Sequence, residues 1–225
     1  FADFEFGGLA LCHNGNLTNA LELRTQMVHE GSLFQSTTDS ETIIHLIARS
    51  RQATVIDRVV DALRQIEGAY SVVCLTKNMV VGVRDPLGVR PLVLGQIGEA
   101  YILASETCAL DIIGADFVRD IEPGEMVVLD DSGVHSIRPF AEQNRRFCVF
   151  EYIYFSRPDS VVEGLSVYEA RKSIGRELAK ENQAPADVVI PVPDSGVPAA
   201  IGYAEAAGVP FELGIIRNHY VGRTF

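Results

Sequence analysis

The hydrophobic pattern of this 225-residue chain changes character once, across a polar and basic stretch at about residues 136–147. Before it, helical stripes alternate with short apolar strands. After it come a polar-faced helical stretch, an almost wholly apolar run, a Gly-containing loop and an apolar-rich helix. The change marks a connector, and the chain is expected to form two domains, residues 1–140 and 141–225.

In the first domain, residues 9–13 read as a short strand running into an Asn14-Gly15-Asn16 turn. A helix is expected from Thr18, with Leu17, Ala20, Leu21, Arg24, Met27 and Val28 on one stripe and Gly31 ending it. Asp39-Ser40-Glu41 opens a second helix, its acidic residues where the helix dipole favours them, with Ile43, Ile44, Leu46 and Ile47 on the apolar side. A third carries Val55, Val59, Ala62, Leu63 and Ile66 and stops at Gly68. Residues 69–76 and 79–84 read as a hairpin around Lys77-Asn78, followed by a turn at 85–88. Residues 92–95 and 101–105 are expected to continue the sheet, and a turn at 121–125 leads into a strand at 126–129. Helices clustered ahead of antiparallel strands suggest an α+β arrangement of sheet layers covered by helices.

The second domain reads differently. Residues 168–181 form a polar-faced helix, and 186–191 are apolar enough for a buried parallel strand. The Pro193-Asp194-Ser195-Gly196 loop, a helix over 197–207 and a strand over 211–216 complete a strand-loop-helix-strand unit of the doubly wound α/β kind.

A net charge of −11 argues against nucleic acid as a partner, since neutralising phosphates needs a basic surface. It leaves room for a phosphorylated small molecule held by backbone N–H groups and a metal. The four cysteines, Cys12, Cys74, Cys108 and Cys148, are scattered without a CxxC pair, and Cys74 reads as a core residue. No apolar run is long enough for a membrane span, and no signal peptide is visible. The chain opens at Phe1 without an initiator Met and closes on Gly222-Arg223-Thr224-Phe225, so both ends read as cut.

Cys12 and His13 look like a nucleophile and base, but adjacent strand residues point to opposite faces, so a catalytic Cys12 is not expected. Asn14-Gly15 is either an ordinary turn or an oxyanion hole made of one carboxamide and one backbone N–H. Asp39 is either a helix cap or a carboxylate that pairs with an amino group of a substrate. Asp194, Ser195 and Gly196 lie where open α/β sheets bind ligands, at a helix N-terminus; the choice is between a phosphate site, with Ser195 near Mg²⁺, and a plain capped turn. Residues 217–224, with Tyr220, Arg223 and Thr224, are either a mobile phosphate-gripping loop or a solvated surface loop.

Together these pieces resemble a known family. Cys12-His13-Asn14-Gly15-Asn16-Leu17-Thr18-Asn19, Thr38-Asp39-Ser40-Glu41, the run from Arg84-Asp85-Pro86 to Leu92, and Ala104-Ser105-Glu106-Thr107 are similar to the class II glutaminase domain, an N-terminal-nucleophile hydrolase. The run from Cys148-Val149-Phe150-Glu151 to Ser160, and Tyr220-Val221-Gly222-Arg223-Thr224-Phe225, resemble glutamine phosphoribosylpyrophosphate amidotransferases in particular. The resemblance covers essentially the whole chain. It implies an incomplete αββα glutaminase domain followed by the first part of a type I phosphoribosyltransferase domain.

It also implies a reaction that opens purine synthesis: an N-terminal Cys, with its own α-amino group as base, hydrolyses glutamine. Asn14 and Gly15 hold the oxyanion and Asp39 the substrate's amino group. Ammonia then displaces pyrophosphate from phosphoribosylpyrophosphate at the Asp194-Ser195-Gly196 loop, with Mg²⁺ at Ser195 and the 217–225 loop folding over. Cys148 aligns with a ligand of a [4Fe–4S] cluster carried by one branch. Purine nucleotides as feedback inhibitors, a homo-oligomer (a tetramer), and a cytoplasmic or, in a plant, plastid location are the family's expectations. Phe1 stands where a nucleophile is needed, and the segments that hold the glutamine carboxylate and the ribose hydroxyls are missing, so this stretch alone is expected to be inactive. Two other readings remain: a different class II amidotransferase, such as a hexosamine-phosphate synthase, and a catalytically dead paralogue that binds or regulates.

Overall fold

The computed structural model describes residues 1–222. They form two compact units: Phe1–Ser105 with Ala109–Cys148, and Glu106–Cys108 with the chain from Val149 onward. Composition drew the division at 140, whereas the contacts divide the chain at Cys148. Residues 141–148 stay with the first unit because Arg146 and Cys148 donate their N–H groups to Leu87 O (2.7 Å) and Val89 O (3.2 Å).

The first unit is built on a six-stranded antiparallel sheet of order β1-β2-β3-β4-β8-β9. Its strands are β1 (Ala2–Phe4), β2 (Gly7–Leu17), β3 (Gly68–Leu75), β4 (Met79–Arg84), β8 (Met126–Asp130) and β9 (Gly133–Ile137). A separate three-stranded sheet runs β6-β5-β7, from β5 (Val93–Ile97), β6 (Ala100–Ala104) and β7 (Asp116–Asp120). Helices α1 (Ala20–His29), α2 (Asp39–Arg49) and α3 (Val55–Leu63) cover the large sheet, and α4 (Thr107–Ile113) follows β6.

Side-chain alternation fixes the layers, because successive strand residues face opposite ways. Tyr70, Val72, Cys74, Val81, Val83, Met126 and Val128 join Ile43, Ile47 and Val59 in the core under the helices. Their neighbours Val127 and Leu129, with Val73 and Val80 beside them, pack instead with Leu94 and Leu103 of the small sheet and with Leu92 just ahead of it. The other face of that sheet holds Val93 and Ile102 against Leu110 of α4. The order helices, sheet, sheet, helix is the αββα arrangement. Burial on both faces is why these strands read as unbroken apolar runs rather than as alternating ones.

Several expectations change. Residues 92–95 and 101–105 do not continue the large sheet; they belong to the small one, stacked against it. The Asn14-Gly15-Asn16 segment is strand, not turn, paired with Ser71, Tyr70 and Ala69. On α1, Leu21 and Val28 are exposed and Met27 alone is buried, so the stripe is narrower than its sequence suggests. Gly31 does end α1: at φ +92° it follows the cap, with Ser32 N–H on Met27 O and Gly31 N–H on Val28 O, which is the Schellman pattern. Helix α3 ends at Leu63; Gly68, at φ +123°, opens β3 instead. Strand β9 runs to Ile137, into the stretch read as a connector.

The second unit begins with a π-helical turn, Glu151–Phe155, and a two-residue hairpin of β10 (Val161–Val162) and β11 (Leu165–Ser166). Helices α5 (Val167–Glu181) and α6 (Val197–Ala207) then pack together. They cross where both lack a side chain: a Cβ on Gly175 would lie 1.9 Å from Ala199 O, and one on Gly202 1.9 Å from Lys172 O. The expected strands at 186–191 and 211–216 shrink to one parallel bridge, Val189 to Phe211. Val188, Ile190 and Val192 are correspondingly exposed, since no layer covers them among the described residues.

Glu125 has a side chain only 2% exposed. Burial pushes its pKa up, but a bidentate pair with Arg119 (2.7 and 2.9 Å), the Ser136 hydroxyl (2.6 Å) and the Glu122 N–H (2.8 Å) outweigh burial and hold it at about 2, against an ordinary 4.5. A depressed carboxylate stabilises the fold fully above its unfolded pKa, and that contribution disappears as pH falls through the folded one. Glu125→Gln is therefore expected to destabilise the unit by on the order of 2 kcal/mol at neutral pH. The gap between the two urea midpoints should close between pH 4.5 and about 2; a gap that is independent of pH contradicts the pairing. Gly202→Ala is expected to cost about 1–3 kcal/mol by forcing α5 and α6 apart; an unchanged denaturation midpoint contradicts the close crossing.

Candidate active site

Strand β1 pairs with β2 only as far as Leu9, so from residue 10 onward one edge of β2 has no strand beside it among the described residues. Thr18 donates its N–H on the β3 side, to Glu67 O (2.8 Å). Leu17 donates to the open edge, to Asp39 Oδ2 (3.1 Å). Antiparallel alternation places the N–H of Gly15, two residues earlier, on that open edge as well. A donor and a carboxylate thus line one edge, a few residues apart.

Gly15 is required by its neighbour strand. Its φ is +154°, and a Cβ there would lie 2.0 Å from the carbonyl oxygen of Ala69. The residue that sequence reasoning took for turn chemistry is a glycine because backbone approaches backbone.

Asp39 does not cap α2. Thr38 is the N-cap and Asp39 the first helical residue. The entry to α2 is held by Glu41, whose carboxylate accepts the N–H groups of Gln35 (2.7 Å) and Ser36 (2.8 Å). That leaves Asp39 free to reach across to Leu17 and to His13, whose Nδ1 is 3.5 Å from Asp39 Oδ1 and 3.4 Å from Ser40 Oγ. His13 has a side chain only 2% exposed and was not picked out as a partner for Asp39. Cys12 is exposed, its thiol 3.7 Å from Val73 O and on the strand face opposite His13.

Asn14 faces the other way from His13. Its Oδ1 accepts from Arg90 Nη2 (2.9 Å) and its Nδ2 donates to Ser105 Oγ (3.1 Å). Arg90 ends a loop rooted in two fully buried charges. Asp85 accepts the N–H groups of Leu87 (2.9 Å) and Val89 (3.0 Å) on its two oxygens. Arg84 donates to the carbonyls of Arg90 (2.9 Å), Ile121 (2.8 Å) and Gly88 (3.1 Å). Burial still pushes the Asp85 pKa up, against those N–H bonds. Sequence reasoning read 85–88 as a turn, which it is, with Gly88 N–H on Asp85 O (2.9 Å), but gave Arg90 and Ser105 no role. The available signal was a run of three charges between apolar strands.

In the second unit, Gly196 caps α6 and must be glycine: a Cβ would meet Val192 O at 2.7 Å. Proline at position 198 removes one helix-start N–H, while the N–H groups of Ser195 and Ala199 have no backbone partner among the described residues. Asp194 Oδ2 lies 3.2 Å from Arg217 Nη1. Asp194, Ser195 and Arg217 line one wall of a cavity of about 530 Å³, and Tyr154, Ser156 and Arg171 belong to its lining too. Arg171, buried on α5, shapes that wall by donating to Tyr152 O (2.6 Å) and Ser156 O (2.7 Å); burial lowers its pKa. Tyr220 is fully exposed and does not join the cavity. Arg223 and Thr224 lie outside the described residues.

A [4Fe–4S] cluster needs four thiolates. Cys74 is buried in the core, where desolvation pushes its thiol up to about 12, and Cys12 and Cys108 lie in other elements. Cys148 is thus a single candidate ligand, and the described residues do not fit a cluster. Mg²⁺ binds through one or two protein oxygens plus substrate phosphates, which the Asp194 carboxylate and Ser195 hydroxyl fit.

A glutamine amidotransferase domain model matches residues 1–111. Amidophosphoribosyltransferases from Rhizobium etli and Bacillus subtilis are 55% and 51% identical to 100% and 97% of the chain, which covers 46% of each. A chloroplastic amidophosphoribosyltransferase from Glycine max is 51% identical over 100% of the chain and 40% of its own length. The solved glutamine phosphoribosylpyrophosphate amidotransferase of B. subtilis, complexed with ADP and GMP, superposes with a TM-score of 0.93 at 50% identity, over 100% of this chain and 50% of that one. The chain spans about half the length of the curated relatives it matches.

Gly15→Ala is expected to lower stability by more than about 2 kcal/mol, because the collision is with main chain that cannot rotate away. Wild-type stability in a chemical denaturation experiment contradicts the close approach of β2 and β3.

Proposed function

We propose a function from one premise: this chain belongs to the amidophosphoribosyltransferase family. The full-length protein takes glutamine, phosphoribosylpyrophosphate and water to 5-phosphoribosylamine, glutamate and pyrophosphate, the first step of purine (IMP) synthesis. The observation that supports this reading is the edge of β2, where Leu17, two residues after Gly15, donates its N–H to Asp39 Oδ2 (3.1 Å).

A cysteine thiolate attacks the side-chain amide carbon of glutamine and the carbonyl π electrons move onto oxygen. The Gly15 N–H and the Asn14 carboxamide stabilise that oxyanion. Asp39 pairs with the substrate's ammonium group, which sets the reach of the chain between ammonium and amide. Collapse expels ammonia, which leaves with the proton taken from the thiol, and water then hydrolyses the thioester to glutamate. Ammonia displaces pyrophosphate at C1 of phosphoribosylpyrophosphate. The Ser195 and Ala199 N–H groups and Arg217 hold the leaving phosphates, and Asp194 and Ser195 are the residues that would hold Mg²⁺. When bound, Mg²⁺ neutralises the charge of the departing pyrophosphate. The segment that begins at Arg217 and carries Tyr220 folds over the substrate and excludes water.

Purine nucleotides inhibit the protein, which works as a homo-oligomeric tetramer in the cytoplasm or, in a plant, in the plastid. Among the described residues no helix is long and apolar enough to cross a membrane.

The test uses the full-length protein. It should release glutamate and pyrophosphate in equal amounts only when both substrates and Mg²⁺ are present; glutamate release with no matching pyrophosphate contradicts the coupled reaction. Asp39→Asn should raise the KM for glutamine about 10- to 100-fold while changing kcat less; an unchanged KM removes Asp39 from the site.

A further inference from the structure

We infer that Arg90 is a positioning residue for glutamine hydrolysis: it fixes which end of the Asn14 carboxamide faces the oxyanion, with Ser105 completing the setting. The inference rests on the glutaminase reading of the β2 edge. A carboxamide has two ends of nearly the same shape, and its terminal torsion is broad, so only its partners decide which end points where. The decision matters here. The NH2 end stabilises a developing negative charge, and the oxygen end repels it.

Arg90 Nη2 lies 2.9 Å from one end of that carboxamide. A guanidinium only donates, so this end must be the oxygen. The other end, Nδ2, lies 3.1 Å from Ser105 Oγ, a hydroxyl able to accept. One N–H of Nδ2 is thereby used, and the second has no acceptor among the described residues. Arg90 acts from a fixed root: its own carbonyl accepts from Arg84 Nε (2.9 Å) and Ser71 Oγ (3.2 Å), within the loop that buries Arg84 and Asp85. Its guanidinium bonds Asn14 directly, and its effect on the reaction passes through that bond.

The experiment measures glutamine hydrolysis by the full-length protein in four forms: wild type, Arg90→Met, Asn14→Ala and the double variant. Arg90→Met should lower kcat about 10- to 100-fold with KM held within about threefold, since an interaction that matters in the transition state is lost while ground-state binding is kept. In the Asn14→Ala background the same substitution should cost no more than about twofold, because the group it orients is already gone. Arg90→Lys, which still only donates, should recover part of the loss. A kcat for Arg90→Met within twofold of wild type overturns the inference, as does a full loss that persists in the Asn14→Ala background. Should Arg90→Met not fold, Arg90→Gln is read in the same two backgrounds by the same criteria; it is shorter and uncharged, and its end accepts as well as donates. If Asn14→Ala hydrolyses glutamine like wild type, the glutaminase reading falls as well; if Asn14→Ala is impaired and the Arg90 variants are not, this inference falls alone.

Discussion

Arg84 and Asp85 are adjacent, oppositely charged and fully buried, and the organisation of the first unit hangs on how main-chain groups satisfy them. Removing a charge from water is costly unless nearly every polar atom finds a partner. Here Asp85 takes two N–H groups of its own loop, and Arg84 takes three carbonyls from two segments. Around that centre the main chain is tied on several sides. Arg84 N–H reaches Glu125 O (3.1 Å), Asp85 N–H reaches Tyr70 O (2.8 Å), and Leu87 and Val89 accept from Arg146 and Cys148. The loop therefore locks β4 to β3, to the turn before β8 and to the last residues of the unit, and it delivers Arg90 to Asn14 from a base with little freedom to move.

The site's other half lies along β2. Among the described residues β1 pairs with β2 as far as Leu9, and beyond it the outward N–H groups of β2 have no strand partner. Asp39 takes one of them from Leu17. Gly15 presents the next, on a stretch of backbone that only glycine can occupy beside Ala69. Along this edge the Leu17 N–H meets the Asp39 carboxylate at 3.1 Å.

Much of this was legible in the sequence. The three helices, the 69–84 hairpin and the strand after Ile121 follow from periodicity and turn residues, and Cys74 fell in the core as its apolar surroundings suggested. The residue types of the candidate site stand in short motifs, Asn-Gly and Thr-Asp. Their arrangement was not legible. A glycine needed by a neighbouring strand looks the same in sequence as one needed by a turn, and the 92–95 and 101–105 strands carry no mark of which sheet they join. The bond from Arg90 to Asn14 spans 76 residues, and no local pattern announces a contact at that separation. In the second unit the apolar 186–191 run promised a buried strand, but composition reports what a segment needs around it and not what surrounds it; Val188 and Ile190 are exposed here.

If the full-length protein hydrolyses glutamine as proposed, the amide oxygen lies on Asn14 and Gly15 of β2. The most direct measurement is a crystal structure of the full-length protein carrying a glutamine-derived aldehyde trapped on its nucleophilic thiol. The tetrahedral oxygen is expected within hydrogen-bond distance of both Asn14 Nδ2 and Gly15 N, the ammonium on Asp39, and Asn14 Oδ1 still on Arg90. An oxygen that points away from Asn14 and Gly15, or an Asn14 carboxamide turned end for end with Arg90 elsewhere, would contradict it.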